Sequence, residues 1–207
     1  MDKYTFFFSQ KITKIYIIRH GRVKNAGREI FNGTMDIELN KDGKIEAEKL
    51  SNFFEDKDIN VIFTSPLKRC IYTAERIKER IKAKIIVDKR IREKNFGIFQ
   101  GCSWEEIKKK FPKESKQYIK DFFHFRIPKG ESSLDVRRRL SPFVEEIKNI
   151  RKNIVVVSHG TINRIIVGEI FNLPSDFLIS IAQDYGGINI IETDGKWYVL
   201  RMLNGRV

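Results

Sequence analysis

A three-layer α/β sandwich, with a mainly parallel central sheet flanked by helices, is the fold class that this sequence predicts. Two observations carry it. Short apolar, β-branched runs alternate with longer segments whose apolar residues recur at helical spacing. Two of those runs also end in a histidine followed directly by glycine, and ligands of such sheets sit beyond the carboxyl ends of strands. The 207 residues are enough for one domain with its own core. No repeat, low-complexity tract or Pro/Gly-rich linker divides them, so residues 1–207 are expected to form a single domain.

The elements follow in order. Residues 14–18 (KIYII) are short, apolar and β-branched, which predicts a buried strand. Arg19, His20 and Gly21 come next, then a polar loop with several glycines. Ile45, Leu50, Phe53 and Phe54 place a helix over 41–55. A second strand is expected at 60–64, and Pro66 suits the first turn of a helix running to about Ile81. A third strand covers 84–87, and 88–102, with Gly97 and Gly101, reads as loop. Ser103 and Glu106 form a capping box ahead of a short helix. The stretch 111–131 is mixed, with a helix expected between Pro112 and Pro128, and a long helix at about 132–150. Residues 153–157 (NIVVV) are the fourth strand, followed by Ser158, His159, Gly160 and a helix over 161–171. The end reads as a hairpin turning at Asp194-Gly195.

Composition sets limits on function. With 41% hydrophobic and 32% charged residues, a soluble globular protein is expected. No apolar run approaches the ~18 residues of a membrane span. The opening MDKYTFFFSQK holds too short an apolar run for a secretory signal, so a cytoplasmic location is expected. The net charge of +13 favours anionic partners: nucleic acid, membrane surface or phosphorylated small molecules. The basic runs at 77–84, 108–110 and 137–139 interleave with apolar residues and read as solvated helix faces. Neither zinc-finger spacing nor an aromatic RNA-binding signature is present, so no specific nucleic acid and no membrane is expected as partner. Cys70 and Cys102 lie in no Cys/His cluster, which predicts two reduced thiols, one helical and one in a loop, and no metal site.

Of three histidines, His20 and His159 share one context, the end of an apolar strand just before glycine. Either alone would read as structural; the matched pair, one joined to Arg19, points to a site. Residues 15–21 (IYIIRHG) resemble the signature of the histidine phosphatase superfamily, which includes cofactor-dependent phosphoglycerate mutases. The likeness continues through Phe31-Asn32-Gly33 with Asp36, Leu39 and Gly43. It extends to 64–74 (TSPLKRCIYTA), 93–101 (EKNFGIFQG), 130–132 (GES) with Arg139, and 155–160 (VVVSHG).

The resemblance implies a phosphoric monoester hydrolase, of the histidine acid phosphatase type, that needs no cofactor and acts on a small-molecule phosphate monoester. His20 would be the nucleophile and form a phosphohistidine. Arg19 and Arg69 would bind the phosphoryl oxygens with their guanidinium forks. His159 would donate to the same oxygens, and backbone N–H groups from Gly160 onward favour an anion. Glu93 would be general acid, then general base. Outside the motif, Arg69 would read as a surface arginine and Glu93 as a solvated ion pair with Arg92 or Lys94. His124 reads as packing or substrate-side lining. Trp104, Phe122, Phe123 and Phe125 fit a lid or a core cluster equally.

Departures bear on substrate fit. Arg22 and Val23 replace a common Glu and Thr. Ala26 stands where a phosphate-holding Asn is usual, leaving Asn25 one position early. Gln100 replaces a common Glu and Tyr72 a common Gln. The chain is short for a mutase, and its C-terminal run, with the short loop after RHG, is similar to that of α-ribazole-5′-phosphate phosphatases of cobalamin nucleotide-loop assembly. A broad-specificity phosphatase, a mutase-like enzyme and a non-catalytic phosphoanion- or nucleic-acid-binding protein are the alternatives. Oligomeric state is left open, a homodimer included.

Overall fold

The computed structural model describes Phe8 and residues 11–207. The reading of the opening run as too short for a secretory signal lies almost wholly outside the described residues. Six strands form one sheet in the order β3-β2-β4-β1-β5-β6: β1 (Thr13–Arg19), β2 (Val61–Thr64), β3 (Lys84–Val87), β4 (Ile154–Ser158), β5 (Ile188–Thr193) and β6 (Tyr198–Gly205). The β3-β2, β2-β4 and β4-β1 pairs are parallel, and the C-terminal hairpin adds β5 and β6 antiparallel. Among the helices, α1 (Lys41–Phe54), α2 (Lys68–Arg80), α5 (Ser133–Asn149) and α6 (Gly160–Ile170) cover the sheet, while α3 (Trp104–Lys110) and α4 (Pro112–Lys120) form a smaller satellite.

Strand periodicity explains the three layers. Ile15 and Ile17 of β1, with Ile154 and Val156 of β4, pack under α5 and α6 against Val136, Leu140, Phe143, Ile162 and Ile166. Tyr16, Ile18, Val155 and Val157 face the other way, onto Leu50 and Phe54 of α1 and Cys70, Ala74 and Ile77 of α2. Both faces of β4 are covered, which is why its sequence is continuously apolar rather than alternating.

Local differences from the sequence reading have physical causes. The helix expected from Pro66 starts at Lys68, behind an extended Leu67 whose amide donates to the Ser65 hydroxyl. Pro112 does open α4, but that helix stops at Lys120, where the Asp121 carboxylate accepts the amide of His124 and closes a turn well before Pro128. The loop 88–102 contains two short 3-10 turns, Lys89–Ile91 and Gly97–Phe99. No helix among the described residues is long and apolar enough to cross a membrane.

Candidate active site

The register of β1 on β4 creates the site. Arg19 pairs with Ser158 across the parallel ladder, so the residues that follow each strand, His20 and His159, emerge side by side. The His20 amide donates to the Ser158 carbonyl at 3.1 Å, and the two imidazoles meet edge to face with centroids 5.1 Å apart. They lie by a cavity of about 520 Å³ bordered by Arg19, His20, Asn25, Arg69, Glu93 and Gly160 among others.

The tautomer of His20 is fixed by its neighbours. Nδ1 lies 2.8 Å from the Gly21 carbonyl, which can only accept, so Nδ1 carries the proton. Nε2 therefore presents its lone pair, and Arg69 Nε donates to it at 3.1 Å. Burial, then the charges of Arg69 and Arg19, hold the His20 imidazole well below its ordinary pKa, against the opposing effect of the Gly21 hydrogen bond. His159 is also held well below its usual value, by burial and then by Arg69, His20 and Arg19. Its Nε2 lies 2.8 Å from Ser65 Oγ, and it stands beside His20 without forming part of the cavity wall.

Arg69 is nearly wholly buried in the first turn of α2. Its Nη1 donates to Met35 O at 2.6 Å and its Nη2 to Gly33 O at 2.8 Å, so two backbone carbonyls aim the guanidinium at His20. Arg19 is held differently: Nη1 donates to Gln183 O at 2.5 Å, and the guanidinium lies 3.8 Å over the Tyr185 ring. Arg19 Nε is buried and finds no hydrogen-bond partner among the described residues, a donor that an incoming oxyanion would satisfy. Gly160 opens α6 behind His159 as N-cap, which places the backbone N–H groups of its first turn at the cavity edge.

Glu93 borders the cavity, and the amide of Lys94 donates to its Oε1 at 2.8 Å. Its loop is clamped by Arg139, which bonds Glu131 through Nε at 2.9 Å and also reaches the carbonyls of Arg90 and Glu93. Glu131 in turn accepts from the amide of Asn95 at 2.9 Å. This corrects two sequence readings. The basic run 137–139 is not simply a solvated face, because Arg139 is a clamp and Arg137 pairs with Glu169. Lys94 is not a solvated partner of Glu93: it is fully buried, with Nζ donating to Ser133 Oγ at 3.1 Å, and burial lowers its pKa to about 8.

Asn25 reaches the cavity, but its amide exchanges hydrogen bonds with Asn32 in both directions, at 2.6 and 3.0 Å. His124 is neither packing nor lining; it is exposed and pairs with Asp121 at 3.0 Å. The aromatics of 104–125 resolve toward core. Trp104, Phe111, Tyr118 and Phe125 pack on Phe99, Ile107 and Ile127, and Phe122 and Phe123 belong to the core under α5. None of these six borders the His20 cavity, whose aromatic wall is Phe31, Phe96 and Tyr185. Cys70 and Cys102 are both buried and free, on α2 and in a loop respectively. Ser65, Arg164 and Tyr185 are site residues that sequence reasoning missed. Arg164 had a signal, since it lies one helical turn beyond Gly160, and Ser65 falls inside the 64–74 segment; of the backbone partners of Arg69, Gly33 lies in a motif segment and Met35 carries no local mark.

The profile of the histidine phosphatase superfamily (branch 1) matches residues 15–205. Phosphoserine phosphatase 1 of Hydrogenobacter thermophilus is 27% identical over 195 residues, covering 93% of this chain and 92% of that protein. Phosphoglycerate mutase-like protein 4 of Arabidopsis thaliana is 32% identical over 157 residues, 73% of this chain and 68% of the relative. Among solved structures, the α-ribazole phosphatase of Shigella flexneri superposes with a TM-score of 0.86 at 21% identity, over 94% of this chain and 98% of that one, which speaks to the fold. With the profile spanning both strand-end histidines and all of the sheet but the first two residues of β1, this chain belongs to the histidine phosphatase superfamily, branch 1.

Proposed function

We propose that the protein hydrolyses small phosphate monoesters through a phosphohistidine formed on His20. The observation that carries this reading is the orientation of that one imidazole: Nδ1 is committed to Gly21 O, which leaves the lone pair on Nε2 at the cavity, accepting from Arg69 Nε until a phosphoryl oxygen takes that donor. Attack of Nε2 on phosphorus breaks the ester bond and transfers the phosphoryl group to His20. Glu93, in its protonated form, gives its proton to the departing alkoxide, and as carboxylate then takes one from the water that releases phosphate. The orphaned Arg19 Nε and the Arg69 guanidinium stabilise charge on the equatorial oxygens. His159, neutral and edge to face with His20, is assigned as a donor to the same oxygens, and the N-terminus of α6 at Gly160 adds backbone donors. Asn25, paired with Asn32, borders the entrance as an uncharged polar group. The lowered pKa of His20 supports activity on the acid side of neutrality, as in an acid phosphatase.

At the substrate level, α-ribazole 5′-phosphate is supported by the C-terminal resemblance and by the apolar wall of Ile30, Phe31 and Phe96, against which a flat base could lie. The test of the main reading is turnover of p-nitrophenyl phosphate by the wild type and by His20→Ala. Wild-type turnover that disappears in a folded variant is expected. Turnover retained by His20→Ala at more than a few per cent would remove His20 from the mechanism.

A further inference from the structure

The two arginines of the phosphoryl cradle are held in different ways. Two carbonyls aim Arg69, whereas Arg19 is gripped by one carbonyl and one aromatic ring. The ring is that of Tyr185, half-buried at the cavity wall. The Arg19 guanidinium carbon lies 3.8 Å from its centroid, and the His20 imidazole lies 5.6 Å away, centroid to centroid. Tyr185 also packs on Val23, Leu39 and Ala47, the small apolar cluster beside α1. One side chain therefore touches the nucleophile, a phosphate-binding cation and the core behind them.

Backbone contacts fix the place of that ring. Arg19 N donates to Gly187 O at 3.0 Å, and Gly186 N donates to His20 O at 3.2 Å. The turn that carries Tyr185 is thus bonded to both residues of the strand end that it covers. Gly186 has a φ of +68°, in the left-handed region that favours glycine. On either side of the turn, the buried amides of Gln183 and Asn189 exchange hydrogen bonds, each of 2.9 Å. Asn189 Nδ2 also donates to Ile17 O at 3.0 Å, which ties the start of the C-terminal hairpin to the middle of β1.

A ring has a chemical advantage over a carboxylate in this place. A carboxylate would bind the guanidinium through the same fork that a phosphoryl group needs, and would offset its charge. A carbonyl oxygen and a ring face attract the cation without neutralising it. Arg19 Nε stays unbonded as a result.

We propose that Tyr185 is a positioning residue: its ring face holds the Arg19 guanidinium in the orientation that keeps Nε open to a phosphoryl oxygen, and leaves the full positive charge for that oxygen. This rests on the phosphatase reading above and gives the C-terminal hairpin a part in it. The ring face acts, and the phenol hydroxyl has no share.

The test measures inorganic phosphate affinity by calorimetry, and kcat/KM for p-nitrophenyl phosphate, in the same set of variants. Tyr185→Leu keeps an apolar group against Val23 and Leu39 but has no ring face. It is expected to lose about 3–30-fold in both quantities, the scale of one cation–π contact. Tyr185→Phe restores the ring and should recover most of that loss. The effect must also run through Arg19, so in an Arg19→Gln background Tyr185→Leu should change kcat/KM by less than about twofold. If Tyr185→Leu does not fold, a ring-fluorinated phenylalanine at 185 replaces it. That residue keeps the shape of Phe while weakening the negative potential of the ring face, and should bind phosphate more weakly than Tyr185→Phe. Unchanged phosphate affinity on loss or fluorination of the ring overturns the proposal. A loss in Tyr185→Phe as large as in Tyr185→Leu, or an equal loss with and without Arg19, overturns it as well. Failure of the phosphatase reading would look different: p-nitrophenyl phosphate would not be turned over in a His20-dependent way, while phosphate affinity would still report on Tyr185.

Discussion

At the residue scale, function depends on which protons are where. An imidazole nucleophile must be neutral, and His20 is held well below its ordinary pKa of about 6.5 by burial and two arginines. The neutral form therefore persists as pH falls below 6.5, and the acid limb of kcat/KM should lie clearly below that value. A limb centred at 6.5 or above, with the substrate's own ionisation accounted for, would contradict the assigned environment. The same shift has a stability consequence. Below about 6.5 the unfolded chain takes up protons at His20 and His159 while the folded chain does not, so stability falls as pH drops through that range. Glu93 can be separated from the nucleophile by leaving group. Glu93→Gln should slow esters of poor leaving groups far more than p-nitrophenyl phosphate, whose phenolate departs with little help. Equal slowing of both, with dephosphorylation shown not to limit, would move the acid role to another residue.

At the scale of elements, the site depends on backbones that touch. A Cβ on Gly43 would stand 2.0 Å from the Arg22 carbonyl oxygen, and one on Gly21 would stand 2.3 Å from that of Gly43. The first turn of α1 is thus pressed against the loop that carries His20, and neither obstruction is a side chain that could swing away. Elsewhere in a helix, Gly→Ala stabilises by roughly 0.5–1 kcal/mol. Gly43→Ala should instead destabilise by about 1–3 kcal/mol, the usual cost of overpacking, and lower kcat by displacing His20. The urea midpoint at unchanged m-value measures the first effect; a raised midpoint would show the contact to be soft. This contact also marks a limit of sequence reading. Strands, helix order and the capping box at Ser103 follow from periodicity and local hydrogen bonding. The meeting of α1 with the 21–22 loop, the clamp of Arg139 on Glu131 and the carbonyls that aim Arg69 join residues far apart in the chain. No local pattern encodes such contacts. Lys94 is the sharpest case: among charged neighbours in sequence it reads as solvated, and only tertiary packing puts it under Tyr118 and Phe96.

At the scale of the whole molecule, the positive charge divides into two populations. Most surface cations are exposed or paired, as Arg76 and Arg80 are with Glu48. Those at the cavity converge at the carboxyl ends of β1 and β4, where fixed guanidinium groups can supply the electrostatic role that a metal ion fills in other phosphoryl-transfer sites. Turnover is accordingly expected to survive EDTA; loss on chelation with recovery on added metal would oppose this. The net charge of +13 alone should give only weak duplex DNA binding that falls steeply with salt. The fold class and the convergence of His20, Arg19, Arg69, Glu93 and Gly160 were readable because they attach to strand ends and to motif-bearing segments. What the aromatics of 104–125 do was not, since a lid and a satellite core share one composition.

The central claim is that phosphate passes through His20. Its most direct test is to mix the protein with a ³²P-labelled phosphate monoester, quench within a fraction of a turnover in base, which preserves phosphohistidine, and map the labelled peptide. The account predicts acid-labile label on His20, absent in His20→Ala and accumulating when water attack is slowed. Rapid release of phosphate with no label at any time, or label on another residue, would contradict it.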